Sequence, residues 1–137
     1  MNAPMIFMNY HNLKNIARFV AKYLPNACVV NFIGLEMCGN AARNRDEVWI
    51  DYPQAFESMK EAVDILCSES INVGIYNFPL CALSAPYRHL CKRSISDYKI
   101  VYDEMCSECS LKEICGGIFR STYLLKKPEV KPVSIYD

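Results

Sequence analysis

Cysteine spacing limits the folds open to this chain more than any other feature. Three of the eight cysteines fall in one short run, Cys106-Ser107-Glu108-Cys109 followed by Cys115-Gly116-Gly117. Two thiolates separated by two residues can face one ion or inorganic cluster from a single tight turn. Ser110-Leu111-Lys112-Glu113 has the form of a capping box, so a helical turn is expected directly after Cys109. That turn would carry Cys115 back toward the first pair, and Gly116 is placed to stop it. A tetrahedral thiolate site needs a fourth ligand. Cys81 is the expected one, because it follows a strand-to-loop transition, where α/β sheets present functional groups. Cys91, among Arg88, His89, Lys92 and Arg93, is the alternative. The spacing suits zinc and an iron–sulfur cluster alike. The Gly116-Gly117 pair favours the cluster, since bare backbone N–H groups can approach its sulfurs.

Eight thiols in a small secreted domain would read as four disulfides. Here 52% of the 137 residues are hydrophobic, enough for a core without staples. The opening MNAPMIFMNYHN has neither a basic n-region nor a long apolar h-region, so no secretory signal is expected. The expected compartment is therefore the reducing cytoplasm, with the thiols free or metal-bound. Fifteen basic residues balance fifteen acidic ones, which suggests neither nucleic acid nor an anionic membrane as a partner. No apolar run reaches the roughly 18 residues of a membrane helix.

Periodicity divides the chain. Met5-Ile6-Phe7-Met8 is a short apolar run that reads as a strand. Asn12 is placed to cap a helix bearing Leu13, Ile16, Ala17, Val20 and Leu24, which Pro25 and Asn26 stop. Residues 28–33 are β-branched and aromatic and predict a buried strand ending at Gly34, with Cys28 inside it. Residues 36–52 are polar and predict a long loop, with an extended piece at Val48-Trp49-Ile50. Pro53 suits the first turn of a helix whose apolar stripe is Phe56, Met59, Val63, Leu66 and Cys67. Residues 71–76 are the next strand. Alternating strands and helices predict a parallel α/β layer over residues 1–77. A loop-rich, cysteine-bearing region follows over 78–125, and residues 126–137, with Pro128 and Pro132, form an extended tail.

Other candidates come from position. Glu36 follows a strand's carboxyl end, where sheets of this class place ligand groups, and is the expected ligand-contacting carboxylate. Asn9 and Asn77 lie just past strands, and Asn77 is the second expected contact to a bound cofactor. Arg43 and Arg45 read as a solvated loop, and His11 and His89 have no partner at metal spacing. Cys38 lies in a glycine-containing loop.

Taken together, GLEMCGNA (34–41), Val48-Trp49-Ile50-Asp51, IYNFPLC (75–81), KRSISDYK (92–99) and CSECSLKEICGG (106–117) resemble the C-terminal half of a radical S-adenosylmethionine (radical SAM) enzyme. Nearest is the maturase of the His-Xaa-Ser peptide-modification systems, over most of residues 5–120. The resemblance implies an α/β fold, the C-terminal half of a partial (β/α) barrel, with a SPASM- or twitch-like region holding an auxiliary [4Fe–4S] cluster on Cys81, Cys106, Cys109 and Cys115. It also implies a peptide or protein substrate, and S-adenosylmethionine only in the complete enzyme. Two departures matter. The cysteine that full SPASM domains carry three intervening residues after the Cys115 position is Phe119 here, which fits a single auxiliary cluster. No Cys-x3-Cys-x2-Cys occurs, so the catalytic cluster's ligands are absent, no residue is assigned a catalytic role, and cleavage of S-adenosylmethionine by this chain alone is not expected. By the same analogy the chain begins near the fourth strand, a second chain could supply the first half, and the strand at Met5–Met8 would present an open edge prone to self-association. The competing expectation is a non-catalytic module with a four-cysteine zinc site that meets a partner protein.

Overall fold

The computed structural model describes the backbone of residues 1–5 and 9–134. Its centre is a four-stranded parallel sheet made of β1 (Asn2–Met5), β2 (Val29–Gly34), β3 (Asn72–Tyr76) and β4 (Cys91–Lys92), in that spatial order. Each strand lies beside its predecessor. The register pairs Asn2 with Asn31, Asn31 with Gly74, and Ile75 with Cys91. The strand expected at Met5–Met8 shares Met5 with β1, and its residues 6–8 lie outside those described. β1 forms one edge of the sheet.

Two helices cross between the strands. α1 (Leu13–Tyr23) follows a 3-10 turn at Tyr10–Asn12 and buries Leu13, Ala17 and Val20. Asn12 holds the N-cap position, but its side-chain oxygen accepts from Asn15 Nδ2 at 2.8 Å instead of from a backbone N–H. The stretch expected as a loop contains two short helices, α2 (Gly39–Arg43) and α3 (Arg45–Val48). Ala41 and Ala42 favour helix there, and Asn44 Nδ2 closes the turn on Asn40 O at 3.0 Å. Only Trp49 and Ile50 keep the extended form expected of that region.

α4 (Tyr52–Ser68) begins with Asp51 accepting the Tyr52 N–H at 2.7 Å, with Pro53 in its first turn. Its buried stripe is Tyr52, Ala55, Phe56, Met59, Ala62, Val63 and Leu66. Cys67 lies one residue past that stripe, about 100° around the helix, and is exposed where burial was expected. Cys28 is also exposed, because β2 begins one residue later. α1 and α4 pack on each other and are joined by a Lys14–Glu61 ion pair. They cover one face of the sheet, through Val30 and Phe32 of β2 and Val73 and Ile75 of β3. The alternation of β2, with Val30 and Phe32 buried and Val29 exposed, follows from this one-sided cover. On the other face, Asn31 Oδ1 would lie 2.6 Å from a Cβ at position 74, so only glycine fits there.

The cysteine-bearing region packs on this layer. Phe78, Ala82, Leu83 and Ile118 join the same hydrophobic core as the helices. A small antiparallel pair, β5 (Ile100–Val101) with β6 (Ile118–Phe119), holds the two ends of the cysteine run together. α5 (Arg120–Lys126) follows, and buried Thr122 Oγ1 accepts the Met37 N–H at 3.0 Å, which fastens it to the loop after β2. Among the described residues no helix is long and apolar enough to cross a membrane.

Met59 is fully buried in α4, so Met59→Ala is expected to lower the unfolding free energy by about 2–5 kcal/mol. Glu57→Ala, on the solvated face of the same helix, should change it by less than about 0.5 kcal/mol. Denaturant midpoints at constant m-value read both.

Candidate metal centre

Short 3-10 turns position the four cysteines. Cys81 is central in the turn Leu80–Ala82, just after β3. Cys106 lies in the turn Glu104–Glu108, started by Asp103, whose side chain accepts the Met105 N–H at 2.9 Å. Cys109 ends that turn, and Cys115 ends the next, Lys112–Ile114. The helical turn expected after Cys109 is therefore present, but as 3-10 helix without a side-chain cap bond. Cys115 N–H bonds back to Leu111 O at 2.9 Å, which leaves its side chain facing inward. Tyr102 OH donates to Cys115 O at 2.9 Å and holds the end of the run against β5.

Cys81, Cys106, Cys109 and Cys115 line one small cavity of about 20 Å³, whose remaining wall is mainly apolar and includes Leu111, Ile118 and Val130. Two of these sulfurs accept backbone hydrogen bonds. Leu80 N–H and Gly117 N–H donate to Cys115 Sγ, each at 3.4 Å, and Val133 N–H donates to Cys109 Sγ at 3.4 Å. The nearby backbones of Lys131 and Asp103 pull the Cys81 and Cys106 thiols toward thiolate. Gly117 is the glycine the geometry requires, since its φ is +63° and a Cβ would lie 2.7 Å from Ile100 Cγ1. Gly116, the other member of the pair, has ordinary space around its Cα.

Burial pushes the Cys81 and Cys106 thiols upward, opposed by those backbone bonds and reinforced by neighbouring cysteines. A soft metal reverses that balance by displacing the proton and neutralising the sulfur charge. An all-sulfur donor set suits zinc or an iron–sulfur core over hard cations. Among the described residues, no three His, Cys, Asp or Glu side chains are grouped to hold a single metal ion.

Cys91 does not line that cavity. It sits on β4 with Sγ donating to Phe78 O at 3.3 Å, and burial pushes its pKa up to about 11. Glu36 lies beyond the end of β2, but its carboxylate is 3.4 Å from Lys99 Nζ in a separate groove beside Arg120 and Ser121. Asn77 has both ends of its amide engaged: Nδ2 donates to Gly34 O at 3.1 Å and Oδ1 accepts from Ser94 Oγ at 3.0 Å. It adopts a φ of +60° and ties the end of β2 to the segment after β4. Arg43 and Arg45 make local contacts to Asn40 and Ala42. Sequence reasoning did not reach the backbone of Lys131 and Val133, because a main-chain donor leaves no residue-type signal.

For the metal-free protein at pH 8, alkylation followed by mass spectrometry should label exposed Cys28, Cys38 and Cys67 well before Cys91. Because the Cys91 pKa is raised from 9.0, its contribution to stability is complete below pH 9 and is lost as pH rises toward about 11. Denaturant midpoints should fall across that window, and Cys91→Ala should flatten part of the fall.

No protein-family model, no curated protein and no solved structure matches this chain.

Proposed function

We propose that this chain is the C-terminal portion of a radical SAM peptide-modifying maturase and that Cys81, Cys106, Cys109 and Cys115 hold its auxiliary [4Fe–4S] cluster. The observation that carries the reading is the placing of these four thiols around one cavity, with backbone N–H groups on the sulfurs of Cys115 and Cys109. Strand order supports the barrel half of the reading. Successive parallel strands lie side by side with both crossover helices on one face, as in (β/α) barrels.

Bound there, a cluster supplies one-electron chemistry. The chain's own residues do the rest. Thiolates fix the core to the turns after β3 and between β5 and β6. Backbone N–H groups of Leu80, Gly117 and Val133 withdraw charge from the sulfurs, which favours the reduced state. Leu111, Ile118 and Val130 keep water from the core. Glu36, held by Lys99, stands at the carboxyl end of the sheet, where it can face a peptide substrate once the remaining strands are supplied. Without a Cys-x3-Cys-x2-Cys, this chain does not itself cleave S-adenosylmethionine.

Anaerobic reconstitution with iron and sulfide tests the centre. About four iron and four sulfide per chain, with a brown chromophore, are expected. Cys109→Ser should abolish the chromophore, Cys81→Ser should weaken or abolish it, and Cys67→Ser should leave it intact. One tightly bound, colourless zinc per chain and no stable iron would replace the cluster with a four-cysteine zinc interaction module. Loss of metal in Cys91→Ser but not in Cys81→Ser would move the fourth ligand.

A further inference from the structure

Among the described residues after α5 there is neither helix nor strand, yet the segment is tied down at several points. Lys127, with φ of +42°, turns it out of α5. It then runs across the open side of the cysteine cavity, where Val130 and Lys131 form part of the wall and Val133 is only 6% exposed. Three main-chain bonds hold residues 129–133. Glu129 N–H reaches Asp51 Oδ2 at 3.2 Å, and Val133 N–H bonds Cys109 Sγ at 3.4 Å. The third returns from the cysteine run, Ser110 N–H to Val133 O at 2.9 Å. Pro132 has no N–H, which narrows the choice of donors in the segment. The Lys131 side chain pairs outward with Glu129 at 2.8 Å, so this residue contributes its main chain to the site and its charge to solvent.

One of these bonds thus ends on a sulfur that a metal core would bind, and another returns from Ser110, the residue after that cysteine. A sulfur ligated to metal keeps negative charge and accepts an N–H strongly, whereas an S–H is a weak acceptor. A core in the cavity also gives Val130 a surface to pack on. We propose that residues 128–133 are a strap that closes over the loaded thiol site and loosens when the site is empty, so that this segment gates loading and protects the bound core. This proposal rests on the metal-centre reading above and adds its regulation. The open strap admits metal and sulfide to a cavity that is otherwise walled by apolar side chains. The closed strap shields the core from water and chelators.

Hydrogen exchange of the full-length chain, metal-free and after anaerobic iron–sulfide reconstitution, reads the coupling, with iron counted on the same samples. Amides within residues 129–133 should exchange about tenfold more slowly in the loaded protein, as expected for gaining charge-assisted bonds, while those in the middle of α4 stay unchanged. Val133→Pro removes the donor to Cys109 but no ligand, and should release iron to a chelator several-fold faster than the parent. Val133→Ala keeps the N–H and should lose iron at a rate nearer the parent's. Loaded protein whose strap exchanges as fast as in the metal-free state, or Val133→Pro with unchanged iron release, overturns the strap and leaves the cluster standing. Failure of the parent to bind any metal overturns both.

Discussion

Burying sulfur beside unpaired backbone donors is the constraint on which this structure turns. The four cavity cysteines lie in or at the ends of tight turns, and the donors that reach sulfur come from the start of one turn and from residues outside the turns, whose N–H groups have no helical partner. Those groups converge on sulfur: Leu80 and Gly117 on Cys115, Val133 on Cys109. Sulfur is a poor acceptor when neutral and a good one when charged, so the arrangement is better satisfied with thiolates than with thiols. Burial works against thiolate at Cys81 and Cys106. The core proposed above would meet both demands at once, by displacing the protons and balancing the charge on the sulfurs.

The α/β layer serves as the platform for this site. α1 and α4 bury one face of the parallel sheet, and the core they form extends without a break into Phe78, Leu83 and Ile118 of the cysteine-bearing region. The turn that carries Cys81 is thereby fixed to the end of β3, while β5 and β6 clamp the run that carries the other three cysteines. The sheet's second face has no such cover. Asn31 and Tyr76 approach Gly74 there, and Asn31 Nδ2 donates to Asn2 Oδ1 at 3.0 Å, so polar side chains partly satisfy one another on an open surface.

Much of the layer was legible because its signals are local. The apolar spacing of Leu13, Ala17 and Val20, the Asp51-Tyr52-Pro53 start and the β-branched runs mark their elements without reference to anything distant. Errors fell where one residue of phase decides burial. Cys67 looks core-facing by spacing from Val63 but lies beside the stripe, and Cys28 precedes its strand instead of belonging to it. The helices at Gly39–Arg43 and Arg45–Val48 were hidden by a polar composition, since short solvated helices carry almost no apolar period. Glu36 and Asn77 were chosen for lying past strand ends, and both do. Their side chains are nevertheless engaged by Lys99, Gly34 and Ser94, partners no spacing rule names.

By itself the sequence determined the alternation of strands and helices, the parallel sense of their pairing and the short turns bearing three of the thiols. Each depends on residues within a few positions of one another. Tertiary structure alone decided that Cys81 and not Cys91 faces the cavity, that the segment after α5 lines it, and that main-chain donors from Leu80 and Val133 reach the sulfurs. The reason is that a backbone N–H is the same at almost every residue. Which of them meets a sulfur 24 or more positions away is set by how the layers pack, and leaves no mark on the residue that supplies it.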